Sequence, residues 1–374
     1  MKVHVCLVSA QAAANLLPAL DPSMKPVRVI LVVSAKMQTQ ANHLSSVLKE
    51  NGIKVEQLHL INEHDFRGIE NALLELASTL GTTDVALNIT GGTKLMSVAA
   101  QSVAAASDWR MFYVDVDTDQ VSWLGRDQPP SQPLTEHLRL RHYLSGYGFK
   151  IDGALEKPQT SHTQQKLMDT LVLQIGSLEH PLSQLNWLAQ QAEDRKSLSV
   201  ALDNQQQDSR SLEALLRNFT DTGALALKGA TIHFADMACR SFVKGGWLER
   251  HVFQTLSQLT GELKIRDRAA NLQIADNGGV NSELDIAFMA HNRLFAIECK
   301  TARMDRPEAP KANDTLFKLA GNCRRIGGLG SRGMLVSYKA MRESEIKLAE
   351  ALGIALVCGA DIARLPEKLK AWIA

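Results

Sequence analysis

Asn281-Ser282-Glu283-Leu284-Asp285-Ile286-Ala287-Phe288, followed after a polar turn by Arg293-Leu294-Phe295-Ala296-Ile297-Glu298-Cys299-Lys300, decides how the C-terminal third of this chain is read. Two apolar strands carry carboxylates and a lysine, and a charge in such a strand is costly unless it has a partner or a metal. A two-residue hairpin turn at His291 and Asn292 sets Asp285 opposite Glu298 and Glu283 opposite Lys300. Side chains alternate between faces along a strand. These four therefore project from one face, and Leu284, Ile286, Phe288, Phe295, Ile297 and Cys299 from the other. Three carboxylates and an amine converge on one patch. That is the chemistry of a metal site for phosphodiester hydrolysis, with a lysine beside it.

The pattern resembles the PD-(D/E)xK nuclease superfamily, which has the restriction-endonuclease-like fold. Asp285 matches the first carboxylate and Glu298-Cys299-Lys300 the E-x-K strand, with Leu284 in the place of the superfamily's variable proline. The resemblance implies a further acidic residue on an upstream helix. Glu249, in Gly245-Gly246-Trp247-Leu248-Glu249-Arg250-His251-Val252, stands there. It also implies that Glu249, Asp285 and Glu298 hold one or two divalent cations. Glu283 either completes the shell or positions Lys300 through a salt bridge. Hard carboxylate oxygens suit Mg²⁺ or Mn²⁺ rather than zinc. Lys300 orients or deprotonates the attacking water, or stabilises the phosphorane. Lys318, Arg324 and Arg325 have two readings, substrate-backbone contacts or an ordinary solvated helix face. His251 and His291 read as surface residues, and Cys299 as core.

Bulk properties fit a soluble intracellular protein. At 374 residues the chain is long enough for two or three domains. A formal net charge of +1 excludes a broadly basic nucleic-acid coat, so any polyanion contact is local. Cys6, Cys239, Cys299, Cys323 and Cys358 are scattered and form no C-x-x-C, which argues against disulfides and structural zinc and for a reducing cytoplasm. The apolar stretch after Met1 is short and contains His4, so it reads as a first strand rather than a signal peptide. No segment is long enough to span a membrane.

Residues 2 to about 125 alternate strand and helix. Strands are expected at Val3–Val8, Val27–Val33, Val55–Leu60 and Asp84–Ile89, with helices between them and from Leu95 to Ala105. Arg110–Val116 and Gln120–Leu124 close the unit as a hairpin. Apolar βα repeats imply a mostly parallel, doubly wound sheet. The chain leaves this domain through Arg126–Leu134, and Gly146–Thr160 reads as a linker. Helical patterns at Gln164–Ile175, Leu182–Ala192 and Ser211–Phe219 precede a hairpin around Lys228-Gly229-Ala230, which suggests a small winged-helix-like domain. Its candidate third helix lacks a dense basic cluster, so a connecting role is favoured over nucleic-acid reading. Domain limits of 1–145, 146–237 and 238–374 follow, the last with a helix near Thr315–Cys323 and strands at Gly333–Ser337 and Ile354–Cys358.

Asn88-Ile89-Thr90-Gly91-Gly92-Thr93-Lys94 lies between a strand and a helix, where free N–H groups and the positive helix end point at one spot. Glycines admit a phosphate to the backbone, and Thr90, Thr93 and Lys94 add donors. The loop is neither a Walker A sequence nor G-x-G-x-x-G. Ser9-Ala10-Gln11 and Ser34-Ala35-Lys36 end two other strands at the same carboxyl edge, where ligands of open α/β sheets bind.

With these features together, the chain resembles the CRISPR-associated CARF-domain nucleases of the Can/Card architecture. The resemblance implies an α/β protein with an N-terminal Rossmann-like CARF domain that senses cyclic oligoadenylate. A small winged-helix-like middle domain and a C-terminal restriction-endonuclease-like α/β/α domain follow. It implies a homodimer with its activator pocket at the CARF two-fold, cyclic tetra-adenylate as the ring, a DNA and/or RNA substrate, and antiviral defence in the cytoplasm. Two rivals stand beside it. An unregulated restriction- or repair-like endonuclease leaves the glycine loop unexplained. A CARF transcription regulator with an inactive nuclease fold leaves Asp285, Glu298 and Lys300 unexplained.

Overall fold

The computed structural model describes residues 2–81, 84–125, 129–135, 138–301 and 311–374. In the exit stretch Arg126–Leu134, residues 126–128 lie outside the described residues. Strands β1 (Val3–Leu7), β2 (Arg28–Val33), β3 (Lys54–His59), β4 (Val85–Asn88), β5 (Arg110–Asp115), β6 (Gln120–Leu124) and β7 (Gln132–Pro133) make one sheet in the order β3-β2-β1-β4-β5-β6-β7. The first five are parallel, and β6 and β7 pair antiparallel at the edge. Burial explains the sequence pattern. β1 and β4 are covered on both faces, so their runs are buried throughout and apolar but for His4 and Asn88. Val3, Val5 and Leu7 pack beneath the helices Phe66–Leu80 and Lys94–Ala106, while Cys6 and Val8 face the helices Ala13–Leu20 and Gln38–Glu50. Strand order reverses between β1 and β4, so Ser9–Gln11 and Gly91–Lys94 flank the switch-point crevice.

Gly146–Thr160 is more than a linker. The helix Leu140–Gly146 lies on the N-terminal unit, where Gln40 Nε2 donates to the Gly146 carbonyl at 2.6 Å. A Cβ at Gly146 would lie 2.7 Å from Leu16 Cδ1, so any side chain there would have to displace Leu16. Strand β8 (Phe149–Ile151) then pairs antiparallel with a strand of the C-terminal sheet. Three residues with one charged member give too short a period to be seen in the sequence.

The middle segment contains the helices His162–Leu173, Ile175–Asp194 and Arg210–Thr220. Strands β9 (Ser199–Ala201), β10 (Leu225–Lys228) and β11 (Thr231–Phe234) form a three-stranded sheet in the order β10-β11-β9. Side-chain caps start two of the helices. Ser161 forms a reciprocal capping box with Gln164, and Ser209 accepts from Leu212 N.

The C-terminal sheet adds β12 (Asp267–Asp276), β13 (Asn281–Ala290), β14 (Arg293–Lys300), β15 (Arg332–Ser337) and β16 (Ile354–Cys358), in the order β16-β15-β14-β13-β12-β8. The β13–β14 hairpin turns at His291 and Asn292, with φ of 48° and 54°, as a two-residue turn of this hand requires. Leu284 departs from the expected alternation. It packs with Ala287 and Met289, not with Ile286 and Phe288 on the opposite side of the sheet. The change of face coincides with Asn271, at φ 48°: β12 pairs Ala270 with Ile286 and Leu272 with Leu284 in unbroken register, but the step between Asn271 and Asp285 is unpaired. Trp247, Phe288 and Phe295 share one continuous core with Leu171, Leu185 and Phe219 of the middle segment.

Candidate active site and ligand-binding edge

Glu249 sits in the first turn of the helix Trp247–Gln258, entered through a π-helical turn at Phe242–Gly246. Gly245 is needed there because a Cβ would fall 2.2 Å from Thr301 Oγ1, at the end of β14. This contact brings the helix start to the open end of the hairpin. The β13–β14 backbone ladder ends at Ile286 and Ile297. Beyond it the Asp285 carboxylate replaces a backbone partner, accepting the Cys299 N–H at 2.8 Å. Lys300 Nζ lies 2.6 Å from Glu298 Oε1 and 3.8 Å from Asp285 Oδ2. Glu283, expected opposite Lys300, pairs its backbone with Gln273 on β12 and leaves the lysine to Glu298 and Asp285.

The electrostatics follow from crowding like charges in partial burial. Burial, reinforced by the Asp285, Glu283 and Glu298 carboxylates against the pull of Lys300, pushes Glu249 up to about 7. Burial and Glu298 push Asp285 up to about 6, against Lys300 and the Cys299 N–H. At Lys300 burial works against the charge, but Asp285 and Glu298 outweigh it and hold the amine above its usual range. Four carboxylates thus share one ammonium. Among the described residues no group of three or more His, Cys, Asp or Glu side chains is closed into a metal-binding arrangement. The set of Glu249, Asp285 and Glu298 still has the hard oxygens that suit Mg²⁺ or Mn²⁺, together with an excess of negative charge that a divalent cation would offset.

Glu249, Glu283 and Lys300 open onto a cavity of about 660 Å³. Its wall also carries Glu156, Lys244, Arg250, Asn271 and Thr301, to which no role attaches in the sequence. Glu156 reaches the site because its backbone bridges Ala270 and its carboxylate accepts from Asn271 Nδ2 at 3.2 Å. No local motif could reveal that contact, since it joins residues over a hundred positions apart. Arg325 has a structural post: it reaches Asp276 at 3.4 Å, bonds Ser282 Oγ and lies over the Phe149 ring. Lys318 and Arg324 are exposed on the helix Lys311–Gly327. His291 is exposed as expected, whereas His251 is half-buried and burial lowers its pKa.

At the N-terminal edge the glycine loop serves the fold first. Asn88 is wholly buried, and its Nδ2 donates to Ala14 O and Asn15 Oδ1 at 2.9 and 3.0 Å. Its Oδ1 accepts from Thr90 N and Oγ1, and Thr90 Oγ1 accepts in turn from Val114 N at 2.8 Å. A Cβ at Gly91 would meet Leu7 O at 2.2 Å, and Gly92 takes φ 74° above the Leu7 side chain. Thr93 caps the helix by accepting from Met96 N at 3.2 Å. Lys36 pairs with Glu63 at 2.8 Å, and Ser34 is buried and bonded to the same carboxylate, which these two donors hold below its usual range. Ser9 Oγ accepts from Gln11 N, and Gln11 Oε1 accepts from Tyr147 OH at 3.1 Å. Ala10 and Lys94 are exposed there. Asn88 and Thr90 therefore hold the loop itself, and Gln11 is bonded to Tyr147.

Residues 3–143 match the Card1 CARF domain and residues 236–374 the Card1-like endonuclease domain. Among solved structures, the chain is similar over its full length to protein VC1899 from Vibrio cholerae, with 27% identity, 98% of that chain covered and a TM-score of 0.91. It is similar in fold to Can2 from Sulfobacillus thermosulfidooxidans in complex with cyclic tetra-adenylate, at 23% identity, full coverage of both chains and a TM-score of 0.84. A type III CRISPR defence DNA nuclease activated by cyclic oligoadenylate matches 99% of this chain but 51% of its own, at 15% identity and a TM-score of 0.61. Among curated proteins no significant match was found. With one domain of the family at each end and the carboxylate–lysine cluster in the second, the chain belongs to the CARF-domain nucleases of the Can/Card type.

Proposed function

We propose that this protein is a metal-dependent nuclease switched on by cyclic oligoadenylate, with cyclic tetra-adenylate as the ring, and that it cleaves DNA and/or RNA as a homodimer in type III CRISPR defence. The observation that carries the reading is the cluster of Glu249, Asp285, Glu298 and Lys300, of which Glu249 and Lys300 open onto one cavity, in a chain whose other end matches a CARF domain. The Can2 complex supports the choice of ring, since its fold is shared across the whole chain. No helix among the described residues is long and apolar enough to cross a membrane.

Asp285, Glu298 and Glu249 hold the cation, and Glu283 lies at the open side of the same cluster. When bound, the cation supplies charge neutralisation at the scissile phosphate and acidifies the attacking water. Lys300 is the chain's own donor at the cluster, 2.6 Å from Glu298 and 3.8 Å from Asp285, where its Nζ would orient the water or stabilise charge on the phosphorane. The Cys299 N–H holds the Asp285 carboxylate through Oδ2. At the other end, the ring lies over the switch-point crevice, between Ala10 and the N–H groups of Gly91–Lys94.

The test is cleavage of labelled single-stranded DNA, double-stranded DNA and RNA with each cyclic oligoadenylate, in Mg²⁺, Mn²⁺ or EDTA. Cleavage that needs both a ring and a divalent metal is the expected result. Absence of cleavage under every combination removes the reading.

A further inference from the structure

Three cations line the cavity that holds Glu249 and Lys300, and their partners differ. Lys300 is held by Glu298 and Asp285. Lys244 is ion-paired to Glu193. Arg250 faces neutral oxygens: its Nη1 donates to the Gln159 carbonyl at 3.2 Å and to Gln164 Oε1 at 3.4 Å. Its guanidinium carbon lies 5.5 Å from the centre of the Phe242 ring, a cation–π contact that fixes the plane without neutralising the charge. No carboxylate lies within ion-pairing distance of it among the described residues.

A guanidinium braced from one side by a ring and two carbonyls, on the wall of a cavity otherwise rich in carboxylates, is poorly explained by stability alone. The bracing uses one of its nitrogens, and the remaining N–H groups are a planar fork suited to a phosphate. The position matters as well. Arg250 follows Glu249 directly, so the same helical turn presents both a carboxylate of the catalytic cluster and this fork. The acidic cluster repels the polyanion it must cut, and an unpaired cation on the cavity wall is where attraction is needed.

We propose that Arg250 is a substrate-binding residue that grips a backbone phosphate of the nucleic acid flanking the scissile bond. The inference rests on the nuclease reading above and adds the residue that seats the strand. Gln159, Gln164 and Phe242 are the brace that holds the fork open toward the cavity. Because the grip is to phosphate, it is blind to base sequence. It strengthens the bound ground state and the transition state alike, so it acts on KM more than on kcat.

The experiment uses the full-length protein saturated with cyclic tetra-adenylate and whichever labelled single-stranded DNA, double-stranded DNA or RNA oligonucleotide it cleaves. In a Glu298→Gln background, Arg250→Gln should weaken binding about tenfold by fluorescence anisotropy. It should also reduce the slope of log affinity against log salt by about one phosphate contact. With Glu298 intact, Arg250→Gln should raise KM by a similar factor with kcat little changed. Arg250→Lys should restore most of the slope, and Arg217→Gln, a charge outside the cavity lining and paired with Glu213, should change nothing. Thermal melting of each variant separates binding from folding. An unchanged slope and KM in Arg250→Gln overturns the proposal while the nuclease reading stands. So does an Arg250→Lys protein that behaves like Arg250→Gln with a lowered melting temperature, which would make the residue a structural brace. If the unaltered protein neither binds nor cuts any oligonucleotide, the nuclease reading itself has failed.

Discussion

Arg293 Nη2 donates to both the main-chain carbonyl and the carboxylate of Asp117, at 2.7 and 3.0 Å. Arg293 opens β14, the strand that carries Glu298 and Lys300, and Asp117 lies in the turn between β5 and β6 of the CARF sheet. In sequence the two domains are joined only through the middle segment. In space they touch directly. Nearby, Tyr143 OH donates to Gly327 O at 3.1 Å, and Asn292 Oδ1 accepts from Leu138 N at 2.7 Å. Movement of the CARF sheet edge therefore has a short path to the hairpin.

The Arg293–Asp117 pair should matter to control more than to stability. The Asp117 carboxylate is 81% exposed, and such pairs contribute about 0–1 kcal/mol. Arg293→Gln or Asp117→Ala should leave the melting temperature within a few degrees of the parent. The ratio of cleavage rates with and without cyclic tetra-adenylate should change severalfold, because a ligand shifts a balance only through contacts that differ between states. An unchanged ratio in both variants would take the coupling away from this pair and leave it to the Tyr143–Gly327 and Leu138–Asn292 contacts or the middle segment.

A second expectation concerns the crowded carboxylates. Glu298→Gln or Asp285→Asn should lower cleavage by about a hundredfold or more, the scale of losing one electrostatic element of an active site. Affinity for the ring, read by titration calorimetry, should be unaffected. Stability without metal should not suffer greatly in Glu298→Gln, since a charge is removed from a cluster in which burial and repulsion already push Glu249 to about 7. A variant that keeps full activity in Mg²⁺ takes the chemistry away from this hairpin.

Much of this was legible in the sequence because the deciding signals were local. The hairpin turn at His291 and Asn292, the strand spacing and the helix with Glu249 each show within a short window. The rest depended on contacts that no window contains. β12 was missed because Ala269, Ala270 and Asn271 dilute its alternation, and the change of face at Leu284 coincides with the left-handed Asn271. β8 needs β12 as a partner before it is a strand at all. In the glycine loop the residue types stand out, but Asn88 and Thr90 are spent on Ala14, Asn15 and Val114, contacts that no local window contains.

Acid should weaken the CARF domain through His4. The imidazole is fully buried in β1 against Phe112, with ring centres 5.3 Å apart. Burial, with help from the N-terminal charge and Arg110 and against Asp84, lowers its pKa from 6.5 to about 3. The folded chain therefore keeps His4 neutral while the unfolded chain protonates it below about 6.5. Stability contributed by the neutral ring is complete above that pH and is lost as pH falls toward 3. Between pH 6.5 and 5 the loss should reach ~2 kcal/mol. Urea unfolding of His4→Phe should show a flatter acid limb over that interval. An identical limb would assign the acid sensitivity to other groups.

The glycine loop offers a way to separate holding the ring from holding the fold. Lys94 is exposed at the first turn of its helix, so Lys94→Ala should leave melting unchanged. It should weaken cyclic tetra-adenylate binding by ~1.5–3 kcal/mol, the range of a charge-assisted hydrogen bond. Gly91→Ala should do the reverse of a clean binding variant. Its Cβ would lie 2.2 Å from Leu7 O, a backbone atom that cannot step aside, so the loop must shift at a cost of ~1–3 kcal/mol. Calorimetry and thermal melting on both proteins read the two effects separately. If Lys94→Ala binds the ring as tightly as the parent, the ring is gripped elsewhere on the CARF edge. If Gly91→Ala melts unchanged, the close approach to β1 is not what demands glycine there.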